Sequence, residues 1–251
     1  MAKRRIGAYN REAERRITDA LQERLAVTMR RQMRASIVRD YQYAAEQVEK
    51  GNVLVTLSNT DTGRIVLSGW ERAVETFGRR MADQIGKRHG SFERKDRVEE
   101  YLSIAFQHFA QRWIATKVTE IDGTTERHIR ELIEYGMQEG QSLVEIGLNL
   151  MKVSSEIARY RSHVIARTET HFAAGFANET AAKESGLDLE KEWVAAWDDR
   201  TRETHMEADG QRVPIGERFT VGGYQLEYPG DASGPAEEVI MCRCVATYIE
   251  V

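Results

Sequence analysis

The first 213 residues of this 251-residue chain contain no proline. Proline removes a backbone donor and clashes with the preceding turn, so a stretch this long without it leaves helix open almost everywhere. All three prolines, Pro214, Pro229 and Pro235, fall in the last third. So do both cysteines and the closely spaced glycines Gly210, Gly216, Gly222, Gly223, Gly230 and Gly234. Turn residues at that density, with short apolar runs between them, predict strands and loops. The chain reads as α+β: a long, mostly helical amino-terminal arm over residues 1–140, then a small mixed module with short antiparallel strands over residues 141–251.

Periodicity fills in the arm. Ile17, Leu21, Leu25, Met29, Met33, Ile37, Tyr41, Ala45 and Val48 recur every three to four residues, which predicts one long helix from about Asn10 with a single apolar stripe. Gly51-Asn52 ends it. Val53–Leu57 reads as a short strand or an extended linker leading to turn residues from Ser58 to Gly63. Further helices are predicted over Ile65–Arg88, up to a break at His89-Gly90-Ser91, and over Asp96–Glu120. Asp122-Gly123-Thr124-Thr125 is expected to turn, with Thr125 capping a fourth helix that Gly140 closes. Ser142 with Glu145 three residues on forms a capping box for a short helix through Met151, and Ser154 or Ser155 starts a long helix toward Ser185-Gly186.

After Gly186 the period changes to two. Leu189, Lys191, Trp193, Ala195 and Trp197 alternate with Glu190, Glu192, Val194 and Ala196, the pattern of a half-buried strand. Asp198-Asp199-Arg200-Thr201 predicts a turn into a short helix holding His205. Pro214–Phe219 is an extended rim, Val221–Leu226 a strand pair around Gly222-Gly223, and Glu238–Ile249 the closing strand.

Composition excludes several classes. With 41% hydrophobic and 30% charged residues the chain is not a disordered one. No apolar run reaches the ~18 residues a membrane span needs, and the basic start lacks the apolar segment of a secretory signal. Two cysteines spaced Cys-x-Cys are no disulfide framework and imply a reducing compartment. The net charge of −4 conceals a polarity. Residues 1–39 carry eleven basic groups against four acidic, a net +7, whereas residues 187–251 carry fourteen acidic against six basic, a net −8. Arg15, Arg16, Arg24, Arg30, Arg31 and Arg34 line the polar side of the first helix. They form either a solvated face or a contact surface for packaged DNA or an acidic protein.

Two constellations in the module carry chemistry. On an extended chain Cys242 and Cys244 share one face with Arg243 opposite. With His205 they supply three ligands of the kind zinc takes, and Asp198, Asp199, Asp209, Asp231 or His171 could be the fourth. The other reading is a pair of reduced thiols packed in a small core, so a structural zinc is possible in sequence terms while no cofactor is required. Arg167, Glu169, Asp198, Asp199, Arg200 and Arg202 form a charged set. Read structurally, it is an ion-pair network joining the long helix to the turn after the first strand; read functionally, Glu169, Asp198 and His205 belong to a metal-dependent hydrolase or nuclease. No nucleophile with an activating base and no phosphate-cradling glycine motif is present, so no catalytic residue is assigned.

The order of these motifs resembles the phage Mu protein F-like family, the minor head or head-morphogenesis proteins of tailed bacteriophages. The resemblance rests on Arg167-Thr168-Glu169-Thr170 with Asn178, then Trp197 with Asp198 or Asp199, Arg200-Thr201-Arg202 and His205. Asp209-Gly210 with Val213, Phe219-x-Val221-x-Gly223, Tyr228-Pro229-Gly230-Asp231 and Cys242-Arg243-Cys244 follow in that order. It spans roughly residues 140–251, and Met241 stands where the family more often has a small polar residue. The resemblance implies a non-enzymatic virion component inside the capsid near the portal, acting in head morphogenesis and DNA packaging or delivery. It implies the portal or the major capsid protein as partner, with no membrane association. Nothing in the arm and module is left over for a separate effector domain.

Overall fold

A computed structural model of the chain describes residues 4–7, 10–57, 60–89 and 92–251. The expected turn residues Ser58 and Asn59 and the break at Gly90-Ser91 lie outside them. Four long helices come first: α1 (Arg11–Glu49), α2 (Thr60–His89), α3 (Phe92–Gln138) and α4 (Leu143–Glu184). A strand β1 (Arg4–Ile6) precedes them. The carboxy-terminal module follows with β2 (Leu189–Val194), α5 (Glu203–Glu207), β3 (Arg212–Pro214), β4 (Phe219–Val221), β5 (Tyr224–Leu226), α6 (Ala236–Val239) and β6 (Val245–Glu250). The α+β organisation, long helices and then short antiparallel strands, is the one expected.

Helix ends follow the punctuation. Gly51 (φ 89°) and Gly140 (φ 70°) adopt the left-handed conformation that glycine tolerates. Asn52 N–H then bonds back to the Gln47 carbonyl at 2.9 Å and Gln141 N–H to the Gly136 carbonyl at 2.9 Å, closing both helices with six-residue loops. At the start of α4, Glu145 Oε2 accepts from Ser142 N at 2.7 Å while Ser142 Oγ accepts from Glu145 N at 3.3 Å, the expected box.

Two expected breaks do not occur. α3 runs unbroken through Asp122-Gly123-Thr124-Thr125. Instead of capping a new helix, Thr124 and Thr125 donate to the carbonyls four residues back, Glu120 at 2.7 Å and Ile121 at 3.1 Å. Asp122 accepts from Thr62 Oγ1 at 2.7 Å, so the polar cluster faces α2 rather than a turn. α4 likewise continues past Ser154, whose hydroxyl donates to the Met151 carbonyl at 2.7 Å. Val53–Leu57 is not a strand; its last N–H bonds to Glu126 Oε1 at 2.7 Å.

The division at residue 140 is one of sequence. In space the chain forms two compact units, each gathering segments from both sides of that point. One comprises Met1–Ala26, Gly69–Phe109 and Arg167–Val251; the other comprises Val27–Ser68 and Ala110–Ala166. The second unit is helical, with Met33, Ile37, Tyr41, Ile65, Ile129, Ile133 and Leu150 among its buried side chains. Burial pushes the Tyr41 phenol up to about 12.

The first unit holds the sheet. Its strand order is β1-β6-β2-β3, every pair antiparallel. β3 ends in Pro214 at the sheet edge, where a missing N–H costs no ladder bond. β4 and β5 form a separate hairpin turned by Gly222 (φ 57°) and Gly223 (φ 85°), the two positive-φ positions its two-residue turn needs. Two apolar clusters fill this unit. Trp70, Phe109, Phe172 and Phe176 stack among the helices, with Phe109 4.7 Å from Phe172 and 4.1 Å from Phe176 between ring centres. Trp193, Phe219, Val221, Leu226, Cys242 and Cys244 pack under the hairpin.

β2 is shorter than the alternation suggested and is buried on both faces rather than one. Lys191 is fully buried: its Nζ donates to Glu179 Oε1 on α4 at 2.7 Å and to the Glu227 carbonyl at 2.7 Å, and lies 5.3 Å from the Phe219 ring centre. A charge can be buried there only because its hydrogen bonds are supplied. Trp197 leaves the strand, is mostly exposed and has a left-handed backbone (φ 54°).

Candidate functional site

Cys242 and Cys244 do not lie on the closing strand as expected. Residues 236–239 are the short helix α6, and the two cysteines occupy the extended segment between Met241 and β6. Met241 sits at φ 58°, and its N–H bonds to Thr168 Oγ1 on α4 at 3.1 Å. That kink aims both sulfurs inward. Arg243 points the other way and forms a two-pronged ion pair with Asp198. The facing relation read from the sequence therefore holds on extended chain outside a strand.

Both sulfurs meet His205 of α5. Its Nδ1 lies 3.2 Å from Cys244 Sγ and 3.7 Å from Cys242 Sγ. The ligand-type atoms of His205, Cys242 and Cys244 all fall within 4.8 Å of one another. All three residues are almost wholly buried. The far ring nitrogen, His205 Nε2, lies 2.9 Å from Glu238 Oε2, which also accepts from Thr204 Oγ1 at 2.9 Å. Trp193 packs edge-on against the imidazole at 5.4 Å. Burial pushes the Cys242 thiol up, but Cys244, His171 and His205 around it bring it well below the ordinary thiol range. Its neighbour Cys242, with burial, pushes Cys244 well above that range. For His205, burial lowers the imidazole, yet contact with Cys242 leaves it raised.

The six residues of the expected ion-pair network are not brought together. Arg167 pairs with Asp19 and, at 3.2 Å, with Glu23, both on α1. Glu169 is buried and accepts from Trp70 Nε1 at 3.0 Å. Asp198 binds Arg243 and also accepts from Arg200 N at 3.0 Å and Thr201 Oγ1 at 3.1 Å. Asp199 is exposed and reaches only Arg200, at 3.9 Å. Arg202 donates to the Ile240 carbonyl at 2.5 Å. Glu169, Asp198 and His205 thus each have a different hydrogen-bond or ion-pair partner.

The amino-terminal half of α1 differs from its expected stripe by one residue. Glu14, Thr18, Gln22 and Ala26 are buried, whereas Ile17 is exposed and Leu21 and Leu25 are half-buried. The buried side is polar because its partners are: Glu14 accepts from Arg80 at 2.5 and 2.8 Å, and Gln22 Oε1 lies 3.1 Å from His171 Nδ1. Arg11 reaches Glu192 at 3.1 Å and also pairs with Asp209. On the opposite side Arg24, Arg31 and Arg34 are exposed, Arg30 is half-buried, and Arg15 and Arg16 bind Glu12 at 2.7 and 2.9 Å. The six arginines are therefore not equivalent as a contact surface. Gln22, Glu238, Arg11 and the Glu179–Lys191 pair escaped the sequence reading. Only Glu238, four residues before Cys242, left a local signal.

The Glu12 cluster predicts a pH effect. Hydrogen bonds from Arg15 and then Arg16 hold the Glu12 carboxyl down to about 2 against an ordinary 4.5. A depressed folded pKa contributes stability that is present above 4.5 and lost as pH falls toward 2. Glu12→Gln is expected to lower stability at neutral pH and to flatten the acid limb in that window, so that parent and variant converge as pH falls toward 2. Urea unfolding at a series of pH values measures it.

Comparison with known proteins agrees with the motif order. Residues 127–247 match the family described as Phage Mu protein F like protein. A 119-residue stretch is 36% identical to the NAD(+)--arginine ADP-ribosyltransferase EFV of Enterococcus faecalis, covering 46% of this chain and 24% of that protein. A 127-residue stretch is 29% identical to Minor head protein GP7 of Bacillus phage SPP1, covering 49% of this chain and 40% of that protein. The matched stretches thus span well under half of either relative. No solved structure matches the chain. Among the described residues, no helix is long and apolar enough to cross a membrane.

Proposed function

We propose that the chain is a structural minor head protein of a tailed bacteriophage, sited inside the capsid near the portal and acting in head morphogenesis and DNA packaging or delivery. The observation that carries this reading is the phage Mu F-like match over residues 127–247, joined by the similarity to a minor head protein of phage SPP1. The geometry is consistent with a scaffold rather than a catalyst: Arg167 and Arg243 are engaged in ion pairs, and the thiols of the module are buried. Mass spectrometry of purified particles from the phage or prophage that encodes the chain tests the proposal. Its presence in heads, and a fall in DNA-filled heads when its gene is stopped, are expected. Particles that lack it, assembled and filled as usual, overturn the reading.

The exposed arginines of α1 give this role a contact surface for packaged DNA or an acidic face of the portal or major capsid protein. Arg24, Arg31 and Arg34 together changed to Glu should leave the fold intact, because all three are exposed. Binding to duplex DNA, followed against salt concentration, should weaken. The log–log slope should flatten by about 0.9 for each phosphate that the variant no longer neutralises. Equal DNA binding and equal incorporation into heads for parent and variant would mean that this face is merely solvated.

A second reading, an effector enzyme, is favoured by one observation, the 36% identity to a protein named an ADP-ribosyltransferase. The match covers only 24% of that protein, so its named activity need not reside in the shared stretch. Release of nicotinamide from NAD⁺ by the purified chain would support this reading over the structural one.

A further inference from the structure

We propose that His171, His205, Cys242 and Cys244 form a structural zinc site, with His171 as the fourth ligand. The two sulfurs and His205 Nδ1 are already placed as three corners of a tetrahedron. Zn–N bonds of about 2.0–2.1 Å and Zn–S bonds of about 2.3 Å put neighbouring N and S ligands about 3.6 Å apart. The observed separations from His205 Nδ1, 3.2 and 3.7 Å, straddle that value.

His171 lies outside the group whose ligand atoms fall within 4.8 Å of one another, so its ring would have to move inward to bind, and it is chosen by what each other candidate already does. Asp198 is held by Arg243 and its own turn. Asp199 is exposed. Asp209 Oδ1 accepts from Ala195 N at 2.9 Å and pairs with Arg11. Asp231 organises its own loop, accepting from Glu227 N at 2.9 Å, Ser233 N at 2.9 Å and Ser233 Oγ at 2.8 Å. His171 remains. It is 2% exposed, stands beside Cys242, and its Nε2 is buried without a hydrogen-bond partner. A buried ring nitrogen with nothing to bond is costly unless it carries a ligand.

The surrounding groups are those a metal site needs. A ligating imidazole must present a lone pair inward, so its other nitrogen must be the protonated one. Both rings are held that way: His205 Nε2–H faces Glu238 Oε2 at 2.9 Å, and His171 Nδ1–H faces Gln22 Oε1 at 3.1 Å. Trp193, edge-on against the His205 ring, has its Nε1 buried with no hydrogen-bond partner among the described residues. Gly230, at φ 84°, sits so close to His171 that a Cβ there would lie 2.3 Å from the ring. The imidazole is therefore clamped from the side as well. A Cys–His–Glu line would also suit a nucleophilic thiol, but Cys242 and Cys244 are each 1% exposed, which bars a substrate. Zinc needs no such access. The ion would tie α4, α5 and the segment before β6 together in a small core with no disulfide.

The test uses the full chain, purified untagged and kept reduced. Elemental analysis should give one zinc per chain, and its removal by a chelator should lower the melting temperature and open both thiols to titration. Replacement by cobalt(II) should produce a thiolate charge-transfer band and the intense ligand-field bands of a tetrahedral site. Cys242→Ser and Cys244→Ser should lose the metal. Should either fail to fold, Gln22→Leu and Glu238→Gln, which touch only the outer nitrogens, should still weaken zinc binding by about 10–100-fold. A folded, reduced parent that contains no zinc, takes up none when it is added, and keeps its melting temperature in chelator overturns the site. A His171→Gln variant with the parent's affinity and cobalt spectrum overturns the fourth ligand.

Discussion

Lys191→Ala is expected to lower the stability of the folded chain by about 3 kcal/mol, toward the lower end of what breaking a buried ion pair costs. Lys191 has no exposed side-chain surface, and Glu179, its partner at 2.7 Å, is nearly as buried. Burial pushes the Glu179 carboxyl up and the Lys191 ammonium down, and their mutual attraction opposes both shifts. Removing the lysine leaves the carboxylate in the core with Lys183 at 3.3 Å and the Tyr248 hydroxyl at 3.1 Å. These residual partners are why the loss should stay near 3 rather than 5 kcal/mol. The cation also anchors the loop carrying Glu227, whose carbonyl would lose its donor. Urea unfolding of Lys191→Ala, Glu179→Gln and the double variant Lys191→Ala with Glu179→Gln completes the comparison. The double variant should lose less than the two single losses summed, because no charge is stranded. Strict additivity would mean that the pair is not coupled.

The second large effect is expected at Gly230. Gly230→Ala places a side chain where the backbone is left-handed and where the new Cβ would meet His171 Cδ2 at 2.3 Å. The conformation alone costs about 1–3 kcal/mol for a residue other than glycine, and overpacking a buried contact adds about 1–3 kcal/mol. A loss of about 2–6 kcal/mol follows, larger than at Gly223, where a Cβ meets nothing within 4 Å and only the strain applies. Thermal unfolding of Gly230→Ala beside Gly223→Ala separates the two contributions. Equal losses would show that contact with His171 carries no cost.

What the sequence discloses about this fold is mostly local. Gly51 and Gly140 end helices because only glycine enters the left-handed region cheaply, and that requirement is written at one position. The Ser142–Glu145 box and the Gly222-Gly223 turn are equally self-contained, and Cys242, Cys244 and His205 were readable as a set through their ligand chemistry. The missed features are decided by partners far along the chain. Thr125 has the chemistry of a cap, yet it returns its hydroxyl to Ile121 because α3 continues past it. Gln22 and Thr18 replace Ile17 on the buried side of α1 since α4 offers Arg167 and His171, some 150 positions away, rather than an apolar surface. Lys191 keeps the face the alternation gave it, beside Leu189 and Trp193, but what lets a charge be buried there is a carboxylate on α4 that periodicity within β2 cannot report. His171 was only one of five candidates for the fourth ligand, because what its ring meets is a property of the packed core alone.

The pairing of β1 with β6 bears on how the chain reaches its folded state. Arg4 lies opposite Glu250 and Ile6 opposite Tyr248, so almost the full sequence separates the two sides of this ladder. Pairings of such separation form late, because the entropy of closing the loop must be met before they return anything. During synthesis β1 emerges long before its partner. Until then β6 has no neighbour on that side to hide its backbone donors and acceptors, and an open strand edge accepts any passing extended segment. The three-residue length of β1 keeps that risk small, since a short edge offers few bonds to a stranger. Its docking is the step at which two segments far apart in the sequence are joined and this edge of β6 stops being available to others.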